Sequence, residues 1–339
     1  YPLQISRGVN DRSQNLVIEI KKDGITAWGE SAPGKTEGAS SAKEVKDHLI
    51  RLINSDINTL SIYEVHQRCK DLNIPRCAQA AIDVALWDLK AKEAKMSLKD
   101  LLGLPSPQVP SSITVGINPP EIIKERVEII LSNPQVKALK IKLGSPKGIE
   151  YDQLIYSQVI ESVGKSNVAI RVDANGGWSL DEAQFMMKWL SQRKAEYIEQ
   201  PLIEGDEDKL KFLFKGRPLP IFIDESCRVA EDVANFHHNV DGINLKLMKC
   251  GGITEAIKIL NVAKSHSLKT MIGCMSESSI SISAGASISG IIDYVDLDSH
   301  YNLDPDPSEG SKMENGITIT NSKYGHGANL KKEYYDKID

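Results

Sequence analysis

The feature that most constrains the fold is a regular alternation of short β-rich runs with helical segments, which begins at about Ser111. Strands that alternate with helices are typical of a parallel sheet covered by helices, and eight such strands close into a barrel. We therefore predict an α/β barrel. Its eight strands are Ile113–Ile117, Ala138–Leu143, Val168–Val172, Tyr197–Gln200, Ile221–Asp224, Ile243–Leu247, Thr270–Ile272 and Tyr294–Leu297.

The first hundred residues lack this rhythm. Leu16–Ile20 and Ile25–Trp28 are strand-like runs separated by a turn, and a capping-box sequence at 41–44 begins a helix. An alanine-rich helical run follows at 79–92. We predict an N-terminal α+β domain at 1–105, the barrel at 106–303, and a C-terminal segment at 304–339 that returns to the first domain.

Composition narrows the classes of function. The formal charge is −5 and no basic stripe is present, which argues against a nucleic-acid partner. No apolar stretch approaches the roughly 20 residues of a membrane-spanning helix. Five scattered cysteines favour reduced thiols over a disulfide framework or a zinc site. These features predict a cytoplasmic protein that acts on a small molecule, and we also expect a homo-oligomer.

Three consecutive strands each end in one acid: Asp173, Glu199 and Asp224. The acids are 26 and 25 residues apart, which is one strand–helix unit each time. The carboxyl ends of neighbouring barrel strands meet at one rim, where function gathers in this fold. Three like charges brought together need a cation, and oxygen ligands favour Mg²⁺, with Mn²⁺ as an alternative. We predict one metal ion per active site at this rim.

Lysines lie on the strands that flank the three acids. Period-2 alternation sends Lys140 and Lys142 to one face of their strand, into the barrel, while Lys246 lies on the strand after the acids. Strands two and six of eight are on opposite sides of the ring, so Lys142 and Lys246 would approach a substrate from opposite faces. Burial and a second cation, Lys140, would lower a lysine pKa enough for it to act as a base. The same alternation places Lys249 on the other face from Lys246, outside the site.

These parts predict proton transfer at the carbon beside a carboxylate. The substrate carboxylate binds the metal, one lysine removes the α-proton, and the metal stabilises the resulting enediolate. A second lysine on the opposite face returns a proton and inverts the carbon. Two lysines therefore favour epimerisation or racemisation over a simple elimination, which needs only one base.

Several motifs along the chain are specific in combination. They are Gly29-Glu30-Ser31-Ala32-Pro33, the helical run Ala81–Leu89, Lys140-Ile-Lys142, Asp173-Ala-Asn175, Glu199-Gln-Pro201, Asp224-Glu-Ser226 and Lys246 followed by Gly251-Gly252. In this order they resemble the enolase superfamily, in particular its muconate lactonizing enzyme subgroup. The resemblance implies a modified TIM barrel, (β/α)7β, under an α+β capping domain. It also implies an acid/base pair of two lysines and three Mg²⁺ ligands, which are Lys142 and Lys246, and Asp173, Glu199 and Asp224.

The end of strand eight points to the substrate. Asp296 and Asp298 lie on one face of the strand, toward the mouth of the barrel. Paired acids suit a substrate ammonium, because a desolvated cation needs opposite charge. This Asp-x-Asp run resembles that of dipeptide epimerases, in which the acids hold the ammonium of the N-terminal residue while the α-carbon of the C-terminal residue reacts. The resemblance therefore implies a dipeptide substrate.

The identity of the dipeptide depends on the remaining pocket residues. Alanyl-glutamate dipeptides from peptidoglycan are the common substrates of the family, and their side-chain carboxylate would pair with a cation. Arg7 and Arg12 in the capping loop offer one, and Arg7 is the better match in position. Ser276 and Glu277 follow strand seven and are assigned to the substrate pocket, although an acid there would disfavour an anionic side chain. The prediction favours L-Ala-D/L-Glu.

Two alternatives remain. An o-succinylbenzoate synthase or a muconate-type cycloisomerase shares this fold, but those substrates carry no ammonium, so Asp296 and Asp298 argue against them. A catalytically silent binding protein is the alternative of another class. The two lysines and three acids that it would not need are all present.

Overall fold

A computed structural model describes residues 3–6, 8–321 and 323–337 of the chain. The N-terminal part combines antiparallel hairpins with helices. In the second hairpin, Asp23 and Gly24 both have positive φ (49° and 78°), the conformation that a tight two-residue hairpin turn requires. The elements are β1 (Leu3–Ile5), β2 (Gly8–Asn10), β3 (Leu16–Lys22), β4 (Ile25–Ser31), α1 (Ala42–Ile53), α2 (Ile62–Asp71), α3 (Arg76–Glu93) and α4 (Leu98–Leu101).

Eight parallel strands follow, and each is hydrogen-bonded to its neighbour along the chain. Ser111 forms a parallel bridge with Val295, so the first and eighth strands meet and the sheet closes. The predicted barrel and all eight of its strands are therefore confirmed. They are β5 (Ser112–Val115), β6 (Ala138–Lys142), β7 (Ala169–Asp173), β8 (Ala195–Glu199), β9 (Ile221–Ile223), β10 (Gly242–Leu245), β11 (Lys269–Ile272) and β12 (Tyr294–Val295).

Helices connect the barrel strands and cover the outside of the sheet. Ser179 caps one of them in a capping box with Glu182, as the sequence predicts. The helices are α5 (Pro120–Leu131), α6 (Ile149–Val163), α7 (Leu180–Ser191), α8 (Leu210–Phe214), α9 (Ala230–Phe236), α10 (Leu247–Cys250), α11 (Ile253–Ser265) and α12 (Ser279–Ile288). Among the described residues, none of the helices combines the length and apolar character needed to span a membrane.

The barrel strands are buried on both faces, and the two faces differ in chemistry. In β6, Leu139 and Ile141 belong to the aliphatic core, whereas Lys140 and Lys142 alternate with them and contact acids inside the barrel. At the other end of the interior, the rings of Tyr197 and Phe222 pack against each other in a tilted arrangement, with centroids 4.7 Å apart. Aromatic side chains thus fill one end of the barrel, and the charged side chains gather at the carboxyl ends of the strands.

The first hairpin lies across the mouth of the barrel. The Ile117 amide donates to Gln4 O at 2.8 Å, and Ser6 Oγ donates to Asn175 O at 3.0 Å. Gly116 allows this close approach, because a Cβ at that position would lie 3.0 Å from Gln4 O. Strand β1 therefore forms part of the roof of the cavity at the strand ends.

The C-terminal segment contacts the N-terminal helices and hairpin. His326 Nε2 donates to Trp28 O at 3.0 Å, and the His326 amide donates to Asp88 Oδ1 at 3.0 Å. These groups are fully buried, so the hydrogen bonds lie inside the interface. The strands of the segment are β13 (Ser308–Glu309), β14 (Ser311–Glu314), β15 (Ile317–Thr320) and β16 (Asn329–Leu330).

Candidate active site

The three predicted metal ligands converge at the carboxyl ends of neighbouring strands. Asp173 ends β7, Glu199 ends β8, and Asp224 directly follows β9. One carboxylate oxygen from each lies within 4.8 Å of the other two, and all three residues are buried. This is an all-oxygen donor set of the kind that Mg²⁺ and Mn²⁺ prefer.

The electrostatics of the three acids fit a bound cation. Burial and the charge of Asp173 together raise the pKa of Glu199 to about 7. Burial also opposes ionisation of Asp173, but Lys142 and Lys140 outweigh it and lower the pKa of that carboxyl. Lys246 and Lys249 likewise outweigh burial and lower the pKa of Asp224. The lysines therefore leave only Glu199 of the three acids incompletely compensated, and a divalent ion would stabilise its charged form as well.

Two lysines of β6 contact this acid cluster. Lys142 Nζ lies 2.6 Å from Asp173 Oδ2 and is mostly buried. Lys140 is fully buried, with Nζ 2.6 Å from Glu199 Oε2 and 2.7 Å from Asp296 Oδ2. The three nearby carboxylates outweigh burial and raise the pKa of Lys140. Lys140 thus lies between the predicted metal ligands and the two acids of strand eight, and its amine is held in the charged form.

Lys246 lies at the other side of the cluster, directly after β10. Its Nζ is 2.7 Å from Asp224 Oδ2. Burial would lower the pKa of Lys246, but the charge of Asp224 outweighs it and raises that pKa. The prediction of lowered lysine pKa values is therefore wrong for Lys246 in the protein alone, because the sequence does not reveal that a carboxylate touches the ammonium.

The placement of Lys249 on the far face is also wrong. Its ammonium contacts the Asp224 carboxylate, and it donates to the carbonyls of Asn244 at 3.0 Å and Cys227 at 3.1 Å. Strand alternation does not apply here because the chain turns into α10 directly after Lys246. On a helix, residues three apart lie on the same side, which brings Lys249 back toward the acids.

Amide side chains complete the support of the acids, and sequence reasoning missed them. Asn175 Nδ2 donates to Asp173 Oδ2 at 3.1 Å. Asn244 Nδ2 donates to Glu199 Oε1 at 2.7 Å. Gln200 Oε1 accepts from the Asp224 amide at 2.8 Å and so links two strand ends. The available signal was the position of each amide, within two residues of an acid or of Lys246 in a strand-end motif.

The two acids of strand eight both line the cavity, but their partners differ. Asp296 accepts from Ser112 Oγ at 2.9 Å and pairs with Lys140, which outweighs burial and lowers its pKa. Asp298 accepts from the Thr114 amide at 2.7 Å. Burial and the charge of Asp296 raise the pKa of Asp298 to about 6. Asp298 is therefore the acid of the pair with more to gain from a substrate cation.

The loop after β11 forms one wall beside Asp298. Ser276 and Cys274 line the cavity, and the Cys274 thiol donates weakly to Asp298 Oδ1 at 3.8 Å. Glu277 is buried, and its Oε1 accepts from the Met275 amide at 2.7 Å. Burial and the nearby Glu30 raise the pKa of Glu277 to about 8, in spite of hydrogen bonding and the charge of Lys246. With this raised pKa, the Glu277 carboxyl is mostly protonated and uncharged at neutral pH.

The cavity is roofed by the capping hairpin and the segment that follows it. Leu3 and Ile5 of β1 line it, together with Arg12 from the exposed segment beyond β2. The Arg12 side chain is 86% exposed, with Nε 3.7 Å from Asp11 Oδ1. Arg7, the predicted cation for a side-chain carboxylate, lies outside the described residues. The apolar lining of the cavity also includes Met275 and Leu303.

Comparison with known proteins agrees with this geometry. Residues 1–103 match the mandelate racemase / muconate lactonizing enzyme N-terminal domain, and residues 123–334 match the enolase C-terminal domain-like family. The chain is 54% identical over 335 residues to a hydrophobic dipeptide epimerase of Flavobacteria bacterium (strain MS024-2A), covering 99% of this chain and 96% of the relative. It is also 54% identical over 330 residues to a hydrophobic dipeptide epimerase of Roseobacter litoralis, covering 97% and 95%.

A solved structure shows the same architecture. The dipeptide epimerase of Cytophaga hutchinsonii, complexed with Mg and the dipeptide D-Ala-L-Val, superimposes with a TM-score of 0.93 at 27% identity. The alignment covers 100% of this chain and 94% of that one. With both domains matched and the strand-end acids and lysines converged, the chain belongs to the mandelate racemase / muconate lactonizing enzyme family of the enolase superfamily.

Proposed function

We propose that this protein is a Mg²⁺-dependent dipeptide epimerase that inverts the α-carbon of the C-terminal residue. One observation carries the proposal: Lys142 and Lys246 line the same cavity as Asp296 and Asp298. The cavity therefore combines two proton-transfer groups with a pair of acids suited to an ammonium. Relatives that share 54% of their residues with this chain are named hydrophobic dipeptide epimerases, which supports the same reaction class.

Substrate orientation follows from the two ends of the cavity. Asp298, assisted by Asp296, would hold the N-terminal ammonium through charge-assisted hydrogen bonds. Held by Asp173, Glu199 and Asp224, a divalent cation would neutralise the carboxylates that surround the lysines and act as a Lewis acid for the substrate carboxylate. A dipeptide fixed at both ends places the α-carbon of its C-terminal residue between Lys142 and Lys246.

The lysines perform the proton transfers from opposite sides. Strands β6 and β10 are four positions apart in a ring of eight, so the lysines that end or follow them face each other. One lysine in its neutral form accepts the α-proton, and the ammonium of the other donates a proton to the opposite face of the same carbon. The two lysines exchange protonation states, and the configuration inverts. Holding both groups in position converts an encounter into an intramolecular step.

The apolar roof favours a hydrophobic dipeptide over L-Ala-D/L-Glu. Leu3, Ile5 and Met275 line the part of the cavity that lies beneath the capping domain. A side-chain carboxylate buried there would lose hydration, whereas an aliphatic side chain gains about 25 cal/mol for each Å² removed from water. The names of the two relatives at 54% identity support the same preference.

Solvent-deuterium exchange tests the proposal. The full chain is incubated with Mg²⁺ in D₂O and a dipeptide library, and mass spectrometry detects one incorporated deuterium. We expect incorporation into dipeptides with an apolar C-terminal residue, more slowly into L-Ala-L-Glu, and none after removal of Mg²⁺. Lysine-to-alanine variants at 142 and 246 provide the controls for catalysis by the two assigned bases.

The outcome also separates the related reactions. Deuterium incorporation without loss of optical activity would mean that the proton is removed from and returned to the same face of the carbon. Absence of incorporation into every dipeptide, together with turnover of a carboxylate lacking an ammonium, would refute the assignment of Asp296 and Asp298 and favour a lyase or cycloisomerase. Absence of any exchange at an α-carbon would favour a silent binding protein.

A further inference from the structure

Asn15 joins the rim of the cavity to the loop after β11. It follows the exposed segment 11–14, three of whose residues line the cavity. Asn15 Nδ2 donates to Ser276 O at 2.7 Å and to Glu30 Oε1 at 2.7 Å. A single half-buried amide therefore connects the capping domain with a barrel loop that borders the substrate.

Glu30 is the fixed support of this connection. It is buried at the end region of β4, and its carboxylate accepts from the Ser278 amide at 3.0 Å and from Ser278 Oγ at 2.8 Å. It also accepts from the Ser281 amide at 3.3 Å, in the first turn of α12. An anion at a helix N-terminus is favourably placed, so Glu30 holds the start of α12 and Asn15 together.

The same loop is tied to strand eight. Ser299 Oγ accepts from the Glu277 amide at 3.1 Å and donates to Glu277 O at 2.8 Å. Ser299 directly follows Asp298, and the Cys274 thiol of the loop also contacts the Asp298 carboxylate. These hydrogen bonds, together with the covalent backbone of the loop 274–278, connect Asn15 to Asp298.

We infer that Asn15 is a positioning residue, which couples the rim segment 11–14 to the orientation of Asp298 through the loop 274–278. The inference rests on the proposed function, because Asp298 is assigned there to the substrate ammonium. It goes beyond that function in giving the capping domain a part in binding the N-terminal residue. When the rim segment is displaced, Asn15 releases the loop. Asp298 then loses its contact with the Cys274 thiol, and the next residue, Ser299, loses its hydrogen bonds to Glu277.

Hydrogen exchange tests the coupling without turnover. The full chain with Mg²⁺ is compared with Asn15→Ala and with Asn15→Asp, which keeps the shape but removes the amide donors. Exchange in the peptides covering 275–281 and 298–301 should rise roughly five- to tenfold, as expected when local opening loses about one net hydrogen bond. Gln14→Ala, at the neighbouring exposed position, is the matched control and should leave these peptides unchanged. A rise confined to 11–15, or no rise in either variant, overturns the inference.

Kinetics supply the second readout. For a dipeptide with a free amino terminus, Asn15→Ala should raise KM about tenfold with little change in kcat, because it weakens binding of the ammonium. Ser299→Ala should act alike, and the double variant should be no worse than the more impaired single one. Effects that multiply, or a fall in kcat at constant KM, overturn the coupling. If the wild-type chain epimerises no dipeptide, the proposed function fails, while the exchange data still decide the coupling.

Discussion

The cavity is bounded by two groups of acids that the fold treats differently. The three carboxylates at the ends of β7, β8 and β9 are contacted by four buried lysines, at 140, 142, 246 and 249. On strand eight, Asp296 shares Lys140, whereas the described partners of the Asp298 carboxylate are the uncharged Thr114 amide and Cys274 thiol. The first group is paired with lysines of the protein itself, whereas in the second group the described partners of Asp298 carry no charge.

Because of this difference, we expect substitutions in the two groups to affect different properties of the protein. Removing one member of a buried ion pair leaves an uncompensated charge, so substitutions near the three carboxylates should affect folding and metal binding as well as rate. Asp298 carries its electrostatic penalty in the free protein already, as its raised pKa shows. A substitution there should affect substrate binding far more than folding.

The largest expected effect follows loss of either lysine that we propose to transfer protons. Lys142→Ala and Lys246→Ala should each lower the epimerisation rate by roughly 10³- to 10⁴-fold, because general acid–base catalysis by a positioned group supplies about that factor. Each variant should still exchange the α-proton of one enantiomer, which the remaining lysine can reach. Chiral chromatography and deuterium content, measured on the same samples, test this. Equal loss of exchange for both enantiomers in both variants would contradict assignment to opposite faces.

Lys249 tests whether the first group depends on its internal cations. Lys249→Met keeps most of the side-chain volume and removes the ammonium that contacts Asp224. We expect a loss of about 3–5 kcal/mol in the free energy of unfolding in urea, the range for breaking a buried pair. Lys258→Met is the matched control, since Lys258 is 41% exposed and 3.4 Å from Glu255, and a loss within about 1 kcal/mol is expected. Equal losses of unfolding free energy in the two variants would show that the buried lysine contributes no more to stability than the exposed one.

The fold and much of the site could be predicted because their signals are local. A strand–helix rhythm and one acid at each strand end are visible in short windows, so the barrel and the convergence of Asp173, Glu199 and Asp224 follow from topology alone. The position of Lys249 could not be predicted by strand alternation, since the chain leaves the strand at Lys246. No local sequence signal indicates that α10 begins directly after Lys246.

Contacts between segments that are distant along the chain could not be predicted from the sequence either. Lys140 and Asp296 are 156 residues apart, and their ion pair depends on how the ring of strands closes. The pKa of Lys246 is raised rather than lowered for the same reason: its partner Asp224 comes from the neighbouring strand end. The sequence predicts which side chains reach the cavity, but the protonation of each depends on distances of a few ångströms that only the packed barrel sets.

Substitution of Asp298 tests the recognition side of the comparison. Asp298→Asn should raise KM for a dipeptide roughly 30-fold, about 2 kcal/mol, which is the typical loss of a hydrogen bond to a charged group. The free energy of unfolding should change little. An N-acetylated dipeptide, which has no ammonium, should bind the variant and the wild type equally. A variant that is destabilised as strongly as Lys249→Met would show that Asp298 belongs to the structural group after all.

The smallest effect is the pH dependence of KM. Burial and the charge of Asp296 raise the pKa of Asp298 to about 6, above its ordinary value of 3.8. Only the charged carboxylate attracts an ammonium, so the contribution to binding is complete above that pKa and is lost as the pH falls through it. With saturating Mg²⁺, KM should be constant at neutral pH, rise as the pH falls below the pKa, and level off near the roughly 30-fold increase expected for Asp298→Asn. Asp298→Asn should remove this rise, because the amide does not titrate. A wild-type KM that stays constant well below the pKa would place the ammonium on another group, and Asp296, which Lys140 keeps ionised, would then be the acid that binds it.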